Sequence, residues 1–339
     1  MSNPTPHRNF PAGTVRWAIG ACSIAILLAS PAEAQRIDAP ERCSICKRRI
    51  DGRYRVYPDR ELAVCMDCER TRPRCARCDV PQAPSALRAF GERRFCRTCL
   101  GEMPHCDACG DPIFGKHFTI RHREGRFCQS CVEERPHCSA CGRPIGRAPT
   151  RLADGRRACA ECMATAIVNE RDARAMLVEI RTIARKAVGV ELARDIELRL
   201  VGRDDETFKT AVAMARAATS TEENGRENGV FIQRGEKWTI LVLKLLPREL
   251  FYETLAHEYG HALHAAIAPE IEDATASEGF AQWIAALTLQ AKGFEAALGL
   301  LYERSDLYGV GFRRVLGASE RIRPTDARGV KALIEASAR

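Results

Sequence analysis

Aromatic side chains are scarce in this sequence. Phe, Tyr and Trp make up 6% of its 339 residues, and nowhere do they interleave with basic residues as a base-stacking surface requires. That scarcity speaks against a nucleic-acid binder. After Cys162 there is no cysteine, so the C-terminal half can have neither disulfides nor thiolate-held metals of its own. Beyond position 34 no apolar run is long enough to cross a bilayer. What remains is 45% apolar content, enough to bury the cores of two or more domains.

The start of the chain carries a targeting pattern. Arg8 and Arg16 precede an apolar stretch from Trp17 to Ala29, and Ala32-Glu33-Ala34 has the small-x-small form of a cleavage site. Residues 1–34 are therefore expected to be a secretory signal and the mature chain to be exported, periplasmic or secreted. An uncleaved anchor is the alternative. Cys22, inside this stretch, is taken as an incidental small residue because a lipoprotein cysteine should follow a longer apolar run.

The other sixteen cysteines lie between residues 43 and 162, all in C-x2-C pairs. Within a unit the two pairs keep a nearly constant spacing (Cys46 to Cys65, Cys78 to Cys96, Cys109 to Cys128, Cys141 to Cys159). A gap of six separates the units, so first cysteines fall at 43, 75, 106 and 138. Such a repeat means an array of small modules. The four sets are Cys43, Cys46, Cys65 and Cys68; Cys75, Cys78, Cys96 and Cys99; Cys106, Cys109, Cys128 and Cys131; Cys138, Cys141, Cys159 and Cys162. Turn residues recur (Gly110 and Pro112; Gly142 and Pro144; Gly91, Gly125, Gly155), and Phe95 and Phe127 precede a third cysteine. Each unit is expected to be a knuckle, a β-hairpin and a second knuckle opening a short helix. Four thiolates at this spacing suit a closed, structural Zn²⁺ site, and a unit of about 30 residues cannot fold on apolar burial alone. A disulfide framework is the alternative, favoured by export because exported thiols oxidise. Paired knuckles are an unusual disulfide pattern, and zinc bound early would protect the thiolates.

Charge divides the chain. Residues 35–163 carry 26 Lys+Arg against 17 Asp+Glu, and residues 164–339 carry 24 against 26. The basic charges are interspersed, as on solvated faces, and a protein is the partner expected for the modules.

In the C-terminal half the pentapeptide His257-Glu258-Tyr259-Gly260-His261 sits in the apolar run 255–268. On a helix, positions i and i+4 share a face, so His257 and His261 can reach one metal ion while Glu258 sits beside its open position. Helices are expected over 163–189 and 248–266. A strand is expected over 196–201, and a hairpin pairs 230–233 with 239–245 across Arg234-Gly235-Glu236. A third ligand is needed, and Glu278, in the first turn of the next apolar helix, is the best candidate. Glu270, Glu272 and Asp273 lie in a polar loop and are expected to face solvent. His264 is one turn beyond His261, either an outer neighbour of the metal or a buried structural histidine. The metzincin pattern, with its further Gly and His, is missing. Tyr259 is expected to face the core.

Several stretches resemble the peptidase domain of the plant LIM-domain organ-size regulators: 239–243, Leu246-Pro247-Arg248, Leu255-Ala256-His257-Glu258, Ser277-Glu278-Gly279 and Tyr308-Gly309-Val310-Gly311-Phe312-Arg313. Those proteins are ubiquitin-activated zinc peptidases with LIM fingers ahead of a minimal gluzincin. The resemblance covers roughly the stretch 165–339. It implies His257, His261 and Glu278 as zinc ligands and Glu258 as the catalytic carboxylate. The finger region departs from that family. Its modules are joined by a spacer of six rather than two, its ligands are all Cys, and an exported protein would not meet ubiquitin.

The expected architecture is α+β: a signal (1–34), four tandem LIM-like or treble-clef four-cysteine zinc modules (35–163; units 43–68, 75–99, 106–131 and 138–162), then a gluzincin-like metallopeptidase domain (164–339). The expected function is a zinc endopeptidase acting on protein or peptide substrates, with one catalytic and up to four structural Zn²⁺. Glu258 would take a proton from water and pass it to the leaving amine. Strand 239–245 would pair with an extended substrate along its edge, and Tyr308 is a candidate for stabilising the transition state. The competing function is a zinc-knuckle adaptor whose peptidase-like domain is catalytically silent.

Overall fold

The computed structural model describes residues 40–146, 149–219 and 227–339. The expected signal and its cleavage site lie outside the described residues. Among those described, no helix is long and apolar enough to cross a membrane.

All four cysteine modules share one plan. The residue after each first pair (Lys47, Asp79, Gly110, Gly142) has positive φ, and its N–H returns to the carbonyl of the first cysteine. This tight turn aims both sulfurs the same way. A bridge then joins residues on either side of the knuckle: Arg42 to Arg49, Arg74 to Pro81, His105 to Pro112 and His137 to Pro144. Next comes a hairpin, Tyr54–Tyr57 with Leu62–Cys65, Leu87–Phe90 with Arg93–Cys96, and Thr150–Arg151 with Arg157–Ala158; in the third module it shrinks to a bridge between Phe118 and Phe127. Short helices follow the third cysteine: Met66–Thr71, Arg97–Gly101, Gln129–Glu134 and Ala160–Ala164. Each module buries little besides its cysteines, as with Val64, Phe127 or Ile145. Apolar burial on that scale is too small to hold a module folded.

The chain divides into two compact units between Cys96 and Arg97. The third and fourth modules fall in the second unit together with the C-terminal half. In the first unit, Glu69 is buried and takes hydrogen bonds from Arg74 (2.7 Å), Tyr57 (2.8 Å) and Arg55 (3.1 Å), tying the first module's helix to the start of the second.

In the second unit, the third module's turn reaches the C-terminal helices through three consecutive residues. Arg121 (3.2 Å) and His122 (2.7 Å) pair with Glu303, and Arg123 pairs with Glu249 (3.2 Å). Gly299 makes room for the His122 ring, since a Cβ there would lie 2.6 Å from His122 Nδ1. The fourth module is joined by Arg156, which donates to the Lys244 carbonyl at 2.6 Å, and by Ile167, whose backbone exchanges bonds with Leu245 and Leu246. That last pairing corrects the helix expected from residue 163. The helix begins only at Glu170, capped by the Asn169 side chain on the Asp172 N–H, because the backbone of 166–167 is bound to the segment ahead of the histidine motif.

The C-terminal half is α+β. Its three-stranded sheet runs Glu197–Val201, Lys237–Leu243, Gly229–Arg234 in spatial order, the first pair parallel and the second antiparallel. Strand 237–243 is central and buried from Trp238 to Leu243. This corrects the expectation that it offers a free edge. The helix Arg248–Ile267, here the motif helix, buries side chains around its circumference and lies at the centre of the fold. Against it pack the lead helix Glu170–Val188, which buries Ala173, Met176, Leu177, Ile180 and Ala184 in the core, and the facing helix Ala274–Lys292. Helices Glu295–Tyr302, Leu307–Ser319 and Ala327–Ser337 complete this layer, while Glu206–Thr219, which carries no motif and escapes the sequence reading, packs against strand Gly229–Arg234.

Glu303→Lys sets a cation against Arg121 and His122. Limited trypsin digestion is expected to cut at Arg121 or Arg123 faster than in the wild type; unchanged cleavage there would mean the turn is not held by these contacts.

Candidate metal centre

Among the described residues, five groups of side chains are placed to hold a metal ion: the four cysteine tetrads and His257, His261 and Glu278. In the modules, sulfurs of opposite knuckles stand 3.9 Å apart (Cys46 and Cys65), 4.0 Å (Cys78 and Cys96), 3.9 Å (Cys109 and Cys128) and 3.8 Å (Cys141 and Cys159). A tetrahedron with Zn–S bonds of about 2.3 Å has edges of about 3.8 Å, whereas a disulfide brings its sulfurs to about 2.0 Å. All sixteen cysteines are unbridged. In every module the N–H of the third cysteine also points at the first sulfur, at 3.3–3.4 Å, and so supports a thiolate. Sulfur separation and backbone donors both favour zinc over disulfides.

The fifth group joins two helices. His257 and His261 lie one turn apart on the motif helix, and Glu278 projects from the start of the facing helix. Glu278 Oε2 is 3.1 Å from His257 Nε2 and 3.4 Å from His261 Nε2, and the two Nε2 atoms are 3.1 Å apart. Ligands about 2.0–2.1 Å from a tetrahedral zinc are separated by about 3.3 Å, so this triangle has the size of one face of such a site. The motif and facing helices can approach this closely because Gly260 has no side chain. A Cβ on Gly260 would lie 2.6 Å from Ala281 Cα. On another side of the facing helix, a Cβ on Gly279 would lie 2.3 Å from the Gly311 carbonyl carbon. Gly260 inside the pentapeptide is therefore a packing requirement.

Electrostatics bind the triangle together. Burial works against ionised Glu278, but the two histidines pull its carboxyl well below the usual carboxylate range. Burial likewise disfavours charged His261, yet Glu278 raises it to about 9. Glu258 is only 7% exposed, and burial raises its carboxyl pKa against the opposing pull of His257 and His261. A base of raised pKa beside the ligands is suited to taking a proton near neutrality.

Strand Gly229–Arg234, one of the sheet's two edge strands, passes close over Glu258. A Cβ on Gly229 would come within 2.9 Å of Glu258 Cγ, and the Phe231 backbone N–H supports the Glu258 carboxylate. Leu243 N–H donates to the Asn228 carbonyl, so residues 229, 231 and 233 turn their backbone groups away from the central strand and toward this edge.

The other sequence candidates fall where their surroundings dictate. Tyr308 packs against His257, with ring centroids 5.6 Å apart, and its ring also meets the Arg304 guanidinium at 4.4 Å. Arg304 is forked onto Asp306, which also caps the helix Leu307–Ser319 through the Gly309 N–H. Tyr259 is fully buried in the core. Glu270 is exposed and paired with Lys331, Glu272 is exposed, and Asp273 caps the facing helix on the Ala276 N–H, so none of the three joins the triangle. His264 is 8% exposed, and burial lowers its pKa to about 4. Its Nδ1 lies 3.0 Å from Ser277 Oγ. Gly229, Ser277 and Arg304 escape the sequence reading because only the packing of separate segments brings them to the site.

No family model, curated protein or solved structure matches this chain.

Two outcomes follow from the geometry. Gly260→Val forces the helices apart and is expected to cost about 1–3 kcal/mol of stability, read as a lower melting temperature. Protonated His261 cannot ligate a metal, so zinc affinity at this centre should rise by about tenfold per pH unit from pH 7 and level off near pH 9. A pH-independent affinity, measured by chelator competition, would contradict that pairing.

Proposed function

We propose that the chain is a zinc-dependent endopeptidase with a gluzincin-like catalytic half, similar to that of the plant LIM-domain peptidases, and that its zinc modules bind a protein substrate or partner. The observation that carries this reading is the triangle of His257, His261 and Glu278 with the buried carboxyl of Glu258 beside it. The donor set suits Zn²⁺, with two imidazoles and one carboxylate leaving a position open. When bound, zinc would supply Lewis acidity toward a scissile carbonyl and a water.

The protein groups have separable tasks. Glu258 accepts a proton from water and delivers it to the leaving amine, and its raised pKa suits both steps. Strand 229–234, rather than 237–243, is the edge at which an extended peptide would add as a further strand, since its outward backbone groups run past Glu258. The Tyr308 hydroxyl, on a ring in contact with His257 and Arg304, is suited to donate to an oxyanion. Location outside the cytoplasm rests on the signal-like pattern in residues 1–34.

Zinc analysis of the purified chain is expected to give five ions, four in the modules and one in the triangle. Glu258→Gln should retain all five and lose roughly 10²–10⁴-fold in cleavage of an unfolded protein substrate. Equal behaviour of wild type and variant would leave the competing function, a zinc-knuckle adaptor with a silent C-terminal half.

A further inference from the structure

His261 and His257 are not held alike. His257 Nδ1 is buried without a hydrogen-bond partner among the described residues, whereas His261 Nδ1 lies 3.4 Å from Ser277 Oγ. Ser277 Oγ in turn lies 3.0 Å from His264 Nδ1, so one hydroxyl bridges two imidazoles. His264 Nε2 is buried and meets no partner among the described residues.

The proton positions in this chain of contacts are constrained. His261 turns Nε2 toward His257 and Glu278, which leaves Nδ1 to carry the hydrogen. That N–H needs an acceptor, and the Ser277 oxygen is the one within reach. A hydroxyl has a single hydrogen, so Ser277 can accept from His261 only if that hydrogen is directed elsewhere. Nδ1 of a neutral His264 receives it. The hydrogen of His264 then sits on its Nε2.

We propose that Ser277 and His264 are a positioning pair for the metal centre: His264 fixes the direction of the Ser277 hydroxyl, and Ser277 fixes the tautomer and ring angle of His261. Partners of this kind behind a ligating histidine are typically worth about 10–100-fold in metal affinity or activity. The pair also gives the helix-to-helix contact a directional bond beside the glycine approach. It makes His261 the firmly oriented imidazole and leaves His257 oriented by packing against Tyr308. This inference rests on the metal-centre reading of His257, His261 and Glu278.

The test is the dissociation constant of the fifth zinc ion, measured by chelator competition on the full chain with the four modules loaded. Ser277→Ala is expected to weaken it roughly 10–100-fold, with Ser277→Thr restoring affinity because the hydroxyl is kept. His264→Phe should weaken it in the same direction, since the freed hydroxyl hydrogen can turn toward His261. Melting curves with the triangle free of zinc check that each variant is folded. If the wild type binds five ions and Ser277→Ala holds the fifth as tightly, the positioning role is overturned. If the wild type binds only four, the metal-centre reading itself fails.

Discussion

The structure of the C-terminal half depends on how closely two helices approach. Gly260 on the motif helix meets the backbone of Ala281, and Gly279, just ahead of Ala281 on the facing helix, meets Gly311. A side chain larger than hydrogen at Gly260 would push these two helices apart and pull the polar groups out of reach, and one at Gly279 would push the facing helix off the helix Leu307–Ser319. With Gly260 in place, Glu278 reaches two histidines on the neighbouring helix, and three polar atoms converge in a buried helix-to-helix interface. Burying an imidazole pair and a carboxylate there is costly unless they compensate one another or share a cation. The opposed pKa displacements of His261 and Glu278 express that compensation.

The cysteine modules meet a different physical problem. Each has too small a core to fold by burial, so four sulfurs at tetrahedral separation supply the cross-link. Although the four repeat closely in sequence, they do not share one structural role. The first module and most of the second belong to a unit of their own, held by the Glu69 ion cluster. The last two are built into the C-terminal unit, one through Arg121, His122 and Arg123, the other through Arg156 and the pairing of Ile167 with Leu245 and Leu246. Repeat periodicity sets the fold of a module, while the few residues at its turn decide where it packs.

Much of the candidate site was legible because its determinants are local. Four-residue spacing on a helix puts His257 and His261 together whatever else the chain does, and the short C-x2-C spacing does the same for each cysteine pair. Glu278 was legible for another reason: a lone carboxylate in an apolar helix must have a partner. Tyr308 could be singled out but not located, since a half-buried tyrosine at the start of a helix suits many positions. The strand assignment failed at the edge. A hairpin turn identifies 239–245 as a strand, formed in the structure over 237–243, but only its parallel pairing with 197–201, a segment far earlier in the chain, makes it central.

Sequence alone determined the residue types of the candidate metal groups, their local geometry and the fourfold repeat, because all of these follow from spacing within one turn or one hairpin. Tertiary structure alone decided which strand is the edge, which modules join the C-terminal unit, and which side chains stand behind the ligands. Those are contacts between segments far apart in the chain. Gly229 over Glu258 and Ser277 between His261 and His264 are pairs that no periodicity encodes, since they exist only once the sheet and two helices have packed.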